Sequence, residues 1–296
     1  MVNILITGGT GFIGQYLLKE IKKKSRYNIS LIVRKKNIAI ENKNIATYYY
    51  NGDLKKLNKI FIKSKPDIVI HLATCYIFDH QPFEIEKLIN SNILFGCQIL
   101  EVMRLNKCKN IINFGTYFQK YRSQSYNPVN LYASTKQSFE NILMYYNKIH
   151  NINAITLTLF DTFGFNDKRN KIIKKLLTNV NKKTTLNLNS KNSVIDIINV
   201  VNVVNIIIKT AKYLHNSKNI IYKNYYVTGY RIKLSKLITL IEELTKSKLN
   251  INYLEDPKRI NFYKLIKISK DMKTPWHKEY ILNNFKKDIL KLYKTL

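Results

Sequence analysis

Tyr132-Ala133-Ser134-Thr135-Lys136 sets a phenol and an ammonium four residues apart. On a helix that spacing puts both groups on one face. The pair suits proton transfer to or from an oxygen on a carbonyl carbon. A free phenol titrates at about 10, too high for easy exchange at neutral pH, and a neighbouring ammonium favours the phenolate. At about 4 Å and an effective dielectric of about 20, the Coulomb energy is about 4 kcal/mol, on the order of three pKa units before desolvation offsets part of it. The motif is short, and a chain with 21 tyrosines offers many chances for it. Its weight comes from what stands upstream.

Nine glycines occur in the chain, and four fall between positions 8 and 14, in Thr7-Gly8-Gly9-Thr10-Gly11-Phe12-Ile13-Gly14. The run follows a strand-like segment and opens a helix-like one. Glycine permits a tight turn and lets backbone approach a pyrophosphate, while the helix start offers N–H groups and a positive dipole end. A strand, a glycine loop and a helix at the head of a βαβ rhythm read as a dinucleotide site. About 20 residues past the last glycine, NAD binders place an acid on the ribose hydroxyls. Arg34-Lys35-Lys36 stands there instead. A guanidinium pairs with a 2′-phosphate that a carboxylate would repel, so NADP(H) is favoured over NAD(H). The plainer alternative is that Arg34 is one more base in a lysine-rich chain.

These groups need a frame. Strand-like runs stand at 2–7, 29–33, 46–50, 67–72, 110–115 and 154–160, and helix-like segments at 12–24, 54–64, 84–106 and 130–150. The alternation calls for an α/β fold, a doubly wound parallel Rossmann sheet covered on both faces. After residue 165 the rhythm changes. A basic helix at 170–182 precedes a strand and helix at 193–214 that read as a return to the sheet. Residues 1–165 plus 193–216 are expected to form the dinucleotide-binding domain. Residues 166–192 plus 217–296 are expected to form a smaller, substrate-binding lobe, with ligand between the two. Val194 to Ile208 is the most membrane-like stretch, but Asp196, Asn199, Asn202 and Asn205 would be costly in lipid, so it reads as a buried strand and helix and no membrane insertion is expected.

Composition narrows the classes. Cys75, Cys97 and Cys108 make an odd number without a CxxC pair, which argues against a disulfide framework or a zinc site and fits a reducing compartment. Cys75 reads as a small buried filler. No metal site is expected. The N-terminus lacks the pattern of a signal peptide, so the expected location is cytoplasmic. The formal net charge is +31, and its lysines are scattered without a nucleic-acid-binding motif, so compositional bias is preferred to nucleic-acid binding.

Gly8, Gly11 and Gly14, Asp53-Leu54, His71-Leu72-Ala73-Thr74, Asn92, Thr116, Tyr132 and Lys136 together resemble the extended short-chain dehydrogenase/reductase family, the NAD-dependent epimerase/dehydratase type, along almost the whole chain. The resemblance implies a catalytic set of Thr116, Tyr132 and Lys136. Thr116 closes the strand Asn110–Thr116 and would orient a substrate carbonyl; Asn113 is less suited to that place. Cofactor contacts are implied for Gly8, Gly11, Phe12, Ile13, Gly14, Arg34, Asp53, Leu54, Leu72, Ala73, Thr74, Asn92, Tyr132, Lys136 and Phe160. His71 takes a structural position. A homodimer through helices 84–106 and 130–150 is also implied.

Within the family, Ile112–Gln119 and Pro128–Tyr132 look most like CDP-abequose synthase-like reductases, which act on 4-keto-deoxysugar nucleotides. Dehydratases of the family carry an Asp-Glu pair after the catalytic Thr. Here Tyr117-Phe118 follow, which argues against elimination. The catalytic set alone does not separate a reductase from an epimerase with tightly held NAD. Arg34 and the subfamily resemblance favour a reductase using a nucleotide-sugar substrate. Asp161 replaces a common Asn and is a candidate for sugar hydroxyls. Many relatives carry an Arg-Asp pair whose Arg holds the diphosphate. This chain has Ile195-Asp196, so the cation would be Arg259 or Arg169. The rival class is a non-catalytic dinucleotide-binding regulator or nucleic-acid-associated protein, motivated by the charge.

Overall fold

The apolar run after Met1 forms β1 (Val2–Thr7), whose Ile4, Leu5 and Ile6 are buried. The glycine loop leads into α1 (Phe12–Ile21), and β2 (Tyr27–Val33) and β3 (Ile45–Tyr49) follow. Next come α2 (Leu54–Ser64), β4 (Ile68–His71), α3 (Ile85–Ile89) and α4 (Phe95–Leu105). Then β5 (Asn110–Thr116), α5 (Leu131–His150) and β6 (Asn153–Leu159) complete the alternation. The computed structural model describes residues 1–34, 45–121, 123, 125–182, 184–254 and 267–296.

One seven-stranded sheet runs in the order β10-β6-β5-β4-β1-β2-β3, where β10 is Tyr222–Val227. β1 pairs in parallel with both β2 and β4, β2 with β3, and β4 with β5. This is the doubly wound order, and the chain reverses its direction of winding between β1 and β4. Strands in such a sheet are covered on both faces, and they read as continuous apolar runs for that reason. Ile68, Val69 and Ile70 of β4 are all buried.

The expected helix at 84–106 is broken into α3 and α4 by a π-helical turn at Asn90–Leu94. The extra residue in that turn re-aims one side chain, Asn92, which is buried. No apolar spacing announces such a turn.

The chain divides into two compact units. The first holds Met1–Gln119, Asn130–Thr158 and Val204–Tyr225. The second holds Lys120–Val129, Leu159–Val203 and Tyr226–Leu296. In the second unit lie β7 (Asp161–Phe163), α6 (Ile172–Lys182), β8 (Leu186–Leu188) and β9 (Val194–Asn199). After α7 (Val200–Asn216) and β10 come β11 (Tyr230–Lys233), α8 (Leu234–Thr245), β12 (Ile251–Tyr253) and α9 (Leu282–Tyr293). Phe163, Leu237 and Phe285 belong to that unit's apolar core.

The expected return at residue 193 needs correction. β9 does not join the main sheet; it lies between β11 and β7 in a separate three-stranded sheet. The strand that extends the main sheet is β10, beside β6. Val-Ile-Asp-Ile-Ile-Asn is strand-like, but the pattern carries no information about which edge it will meet. Among the described residues, no helix is long and apolar enough to cross a membrane.

Gly14, in the first turn of α1, shows how tightly the glycine loop is folded. A Cβ there would stand 2.4 Å from the Gly8 carbonyl oxygen and 2.5 Å from the Gly9 Cα. Both are backbone atoms and cannot swing away. Gly14→Ala is therefore expected to cost about 1–3 kcal/mol of stability through overpacking, read as a lowered midpoint in chemical denaturation.

Candidate active site

The exits of β1 and β4 adjoin. Thr7 and His71 are ladder partners in the parallel pair, and the Thr7 hydroxyl meets His71 Nδ1 at 2.9 Å. The Ala73 N–H donates to the same hydroxyl oxygen at 3.2 Å. Burial first, and the Lys136 charge second, push His71 down to about 3, so the ring stays neutral. It packs against Phe95 and Phe139. His71 is thus a structural residue, locking two strand ends together.

Gly8 follows with φ of +70°, and a Cβ on it would lie 2.5 Å from the Ala73 nitrogen. The two loops touch backbone to backbone. Gly11 is the N-cap of α1 and has no side-chain cap. The first N–H groups of a helix lack acceptors within it and carry the positive dipole end. A glycine cradle under such a helix start fits a dinucleotide pyrophosphate. Leu72, Ala73 and Thr74 line the adjoining strand exit.

Asn92 joins these loops to α5. It is 1% exposed. Its Oδ1 accepts from the Thr74 hydroxyl at 3.1 Å and the Cys75 N–H at 2.7 Å. Its Nδ2 donates to the Cys75 carbonyl at 2.9 Å and to the Thr135 hydroxyl oxygen at 3.0 Å. Thr135 in turn donates to the Tyr132 carbonyl at 2.7 Å. Two donors and two acceptor sites complete an amide's capacity. These four bonds brace the β4 exit against the helix that carries Tyr132. Cys75, buried and pinned through its backbone, is a filler there.

Tyr132 and Lys136 occupy the first two turns of α5, whose N-cap Asn130 accepts from the Ala133 N–H at 2.9 Å. Both side chains are buried. Burial pushes the Tyr132 phenol above its ordinary value, and a hydrogen bond with Thr74 opposes this. Lys136 is pushed down to about 8 by burial, while Glu140, four residues further along the helix, pushes it up. The Tyr76 ring meets the Tyr132 ring edge-on with centroids 5.0 Å apart.

Thr116 ends β5 and is buried. Its hydroxyl oxygen accepts from the Phe118 N–H at 3.4 Å, and its own N–H donates to Gln119 Oε1 at 2.8 Å. Asn113, by contrast, is fully buried within the sheet and donates to Thr156. Gln119 and Glu140 were missed by sequence reasoning. The signal for Glu140 was its place four residues after Lys136.

Other expected residues serve the fold as well. Asp53 caps α2, accepting from the Lys55 N–H at 2.8 Å and the Lys56 N–H at 3.4 Å. Leu54 beside it is exposed. Arg34 is exposed at the end of β2, near enough for its charge to act on Cys75. Phe12 and Ile13 are half-buried at the start of α1.

The second unit carries the remaining candidates. Phe160 is buried, with the Tyr226 ring 6.2 Å away and the Arg231 guanidinium 5.8 Å from its centroid. Asp161 pairs with Lys171 at 3.4 Å. Arg169 is held by Asp167 at 2.8 Å and by Thr162. Arg259 lies outside the described residues. Sequence reasoning missed Arg231. In the β11–β9 ladder Arg231 is the direct partner of Asp196, and its guanidinium lies 3.3 Å from that carboxylate. Asp196 also accepts from the Gly229 N–H at 2.6 Å. A cation thus reaches Asp196 across the ladder, where the neighbour in sequence is Ile195.

The family model for the NAD dependent epimerase/dehydratase family matches residues 4–223. The chain is 28% identical to a CDP-abequose synthase of Yersinia pseudotuberculosis over 97% of its own length and 100% of that protein's. It is 31% identical to a dTDP-D-glucose 4,6-dehydratase of Dictyostelium discoideum over 64% of this chain and 51% of that one. Among solved structures, the UDP-glucose 4-epimerase of Thermotoga maritima superposes with a TM-score of 0.82 at 19% identity, covering 99% of each chain.

Removing the Asn92 amide leaves the buried backbone groups of Cys75 and the Thr135 hydroxyl without that partner. Asn92→Ala is expected to lose about 2–4 kcal/mol of stability, from unpaired buried groups and a small cavity. Equilibrium denaturation measures it.

Proposed function

The chain belongs to the NAD dependent epimerase/dehydratase family, and from that premise we propose that it reduces a 4-keto-deoxysugar nucleotide at the expense of NADPH. It is a dinucleotide-dependent enzyme of the short-chain dehydrogenase/reductase type. What supports the reductive reading is the likeness to a CDP-abequose synthase over 97% of this chain and 100% of that protein. Tyr132 is the phenol we assign to give a proton to the forming alkoxide.

The bound cofactor supplies a hydride to the carbonyl carbon. The chain's own residues do the rest. The glycine cradle and the start of α1 hold the pyrophosphate, with Phe12 and Ile13 in that first turn. Leu72, Ala73 and Thr74 line the dinucleotide. Thr116 holds the substrate carbonyl oxygen, and Tyr132 protonates it. Lys136 holds the nicotinamide ribose and adds positive charge to the site. Arg34 favours the 2′-phosphate of NADP(H). After Thr116 stand Tyr117 and Phe118, with ring centroids 4.4 Å apart, and Phe118 meets Phe78 at 5.6 Å. No carboxylate stands at that point to drive an elimination, which favours reduction over dehydration. The full-length likeness to a CDP-abequose synthase supports the same substrate class.

In the second unit we assign the substrate diphosphate to Arg231, with Asp161 for sugar hydroxyls. We also assign a homodimer face to the exposed Leu94 and Leu105 beside Met144, Tyr145 and Ile149 of α5, and a cytoplasmic location to an enzyme whose three cysteines are free.

The test is a fluorescence titration with NADPH and NADH, followed by a panel of 4-keto nucleotide sugars with absorbance read at the reduced nicotinamide band. NADPH is expected to bind more tightly and to be consumed with a member of the panel. Tyr132→Phe is expected to lose about 10²–10⁴-fold in turnover with dinucleotide binding retained. Full activity in that variant overturns the assignment. Tight binding without net oxidation points to an epimerase, and no dinucleotide binding overturns the enzyme reading. Separately, Arg231→Ala is expected to weaken binding of CDP or UDP, titrated by calorimetry, by about tenfold or more, while NADPH binding is unchanged.

A further inference from the structure

Glu140 is a carboxylate in an expensive place. It is 6% exposed, on α5 one turn beyond Lys136, which is 3% exposed. Its Oε1 accepts from Gln119 Nε2 at 3.0 Å and its Oε2 from Asn224 Nδ2 at 3.2 Å. Both donors are themselves fixed. Gln119 Oε1 accepts the Thr116 N–H, and Asn224 Oδ1 accepts the Thr158 hydroxyl at 2.7 Å. The Tyr222 hydroxyl donates to the Glu140 backbone carbonyl at 3.1 Å. The carboxylate therefore draws together the end of β5, the end of β6, strand β10 and helix α5.

Gly115 makes the approach possible. A Cβ on it would stand 2.8 Å from Glu140 Oε1 and 2.9 Å from Thr158 Oγ1. The residue just before Thr116 is thus held bare so that the carboxylate can lie against the strand.

Two neutral amides do not offset the cost of burying a full negative charge; a counter-charge is needed. Lys136, four residues earlier on the same face of α5, is the nearest candidate. Lys136 meets the opposite problem, because burial disfavours its charged form. Among the described residues whose charge couples to it, His71 on β4 is neutral and Glu140 on α5 favours the ammonium.

We propose that Glu140 is a positioning residue of the active site, fixing the strand end that carries Thr116 and holding Lys136 as an ammonium. It touches neither substrate nor cofactor. The proposal rests on the reading of Thr116 and Lys136 as active groups, but its own content is the coupling of Glu140 to Lys136 and to β5.

The coupling is measured without any substrate. In protein labelled with 13C at lysine Cε, the Lys136 resonance is identified by its loss in Lys136→Met. It is expected to titrate near 8 in the wild type. In Glu140→Gln the raising influence is gone, so the midpoint should fall by about one unit or more. Glu140→Asp, which keeps the charge, should move it less. In the NADPH-consuming assay the alkaline limb of turnover should shift toward acid by the same amount. A merely structural carboxylate would lower thermal stability and leave the Lys136 midpoint in place, and that result overturns the proposal. If the wild type consumes no NADPH with any keto-sugar, the functional reading fails, while the lysine titration still decides this one. Should Glu140→Gln not fold, the Glu140 carboxyl is followed by 13Cδ in Lys136→Met. Its midpoint should rise by about one unit or more for want of the ammonium; an unchanged midpoint overturns the proposal.

Discussion

Everything at the candidate site follows from how closely β1 and β4 leave the sheet. Gly8 and the Leu72–Ala73 peptide meet with no space for a side chain between them. That approach is possible because Thr7 and His71 are ladder partners and because His71, buried and neutral, bonds Thr7 across the ladder. A charged imidazole there would need a counter-ion in a dry sheet. With the exits fixed, the start of α1 has one direction to point, and the segment after β4 runs beside it. Asn92 then carries the same constraint outward to α5 through Cys75 and Thr135. The glycine loop, the β4 exit and the helix that carries Tyr132 are one connected construction.

Within that construction, burial and charge oppose each other at each titrating group. Tyr132 is pushed up by burial, Lys136 down by burial, and His71 far down. The simple argument from YxxxK spacing treats the lysine as a charge in a uniform medium. In the folded protein the lysine answers first to its burial, and then to Glu140, one helical turn beyond it. In each case burial disfavours the charged form, whether phenolate, ammonium or imidazolium.

The periodicity of the chain carried the sheet and helices of the first 160 residues well, since parallel buried strands leave long apolar runs and the glycines mark the one turn that needs them. Tyr132, Lys136 and Thr116 were legible as candidates because they stand at fixed distances from those elements, and all three are buried. What could not be read were pairings settled by three-dimensional neighbours. β9 has a strand pattern but no mark of its partner, and it joined β7 and β11 instead of the main sheet. Asn92 was noticed, yet its role depended on a π-helical turn that leaves no periodic trace. Gln119 and Glu140 are polar residues in an otherwise ordinary pattern, and only their contacts reveal them as buried.

The second unit illustrates the same limit with charge. Ile195 precedes Asp196 in the chain, so the expected cation was Arg259 or Arg169. The ladder gives a different answer, because Arg231 on β11 stands opposite Asp196 and pairs with it. A carboxylate as deeply buried as Asp196, with its pKa raised by burial, needs donors, and the Gly229 N–H and the Arg231 guanidinium supply them. The arginine is in turn anchored at one side by Asp196 and faces the Phe160 ring at the other. An anchored guanidinium loses less entropy on meeting an anion than a free one does. The pair of charges is made across the ladder by residues 35 positions apart, and a search along the sequence alone is blind to such a pairing.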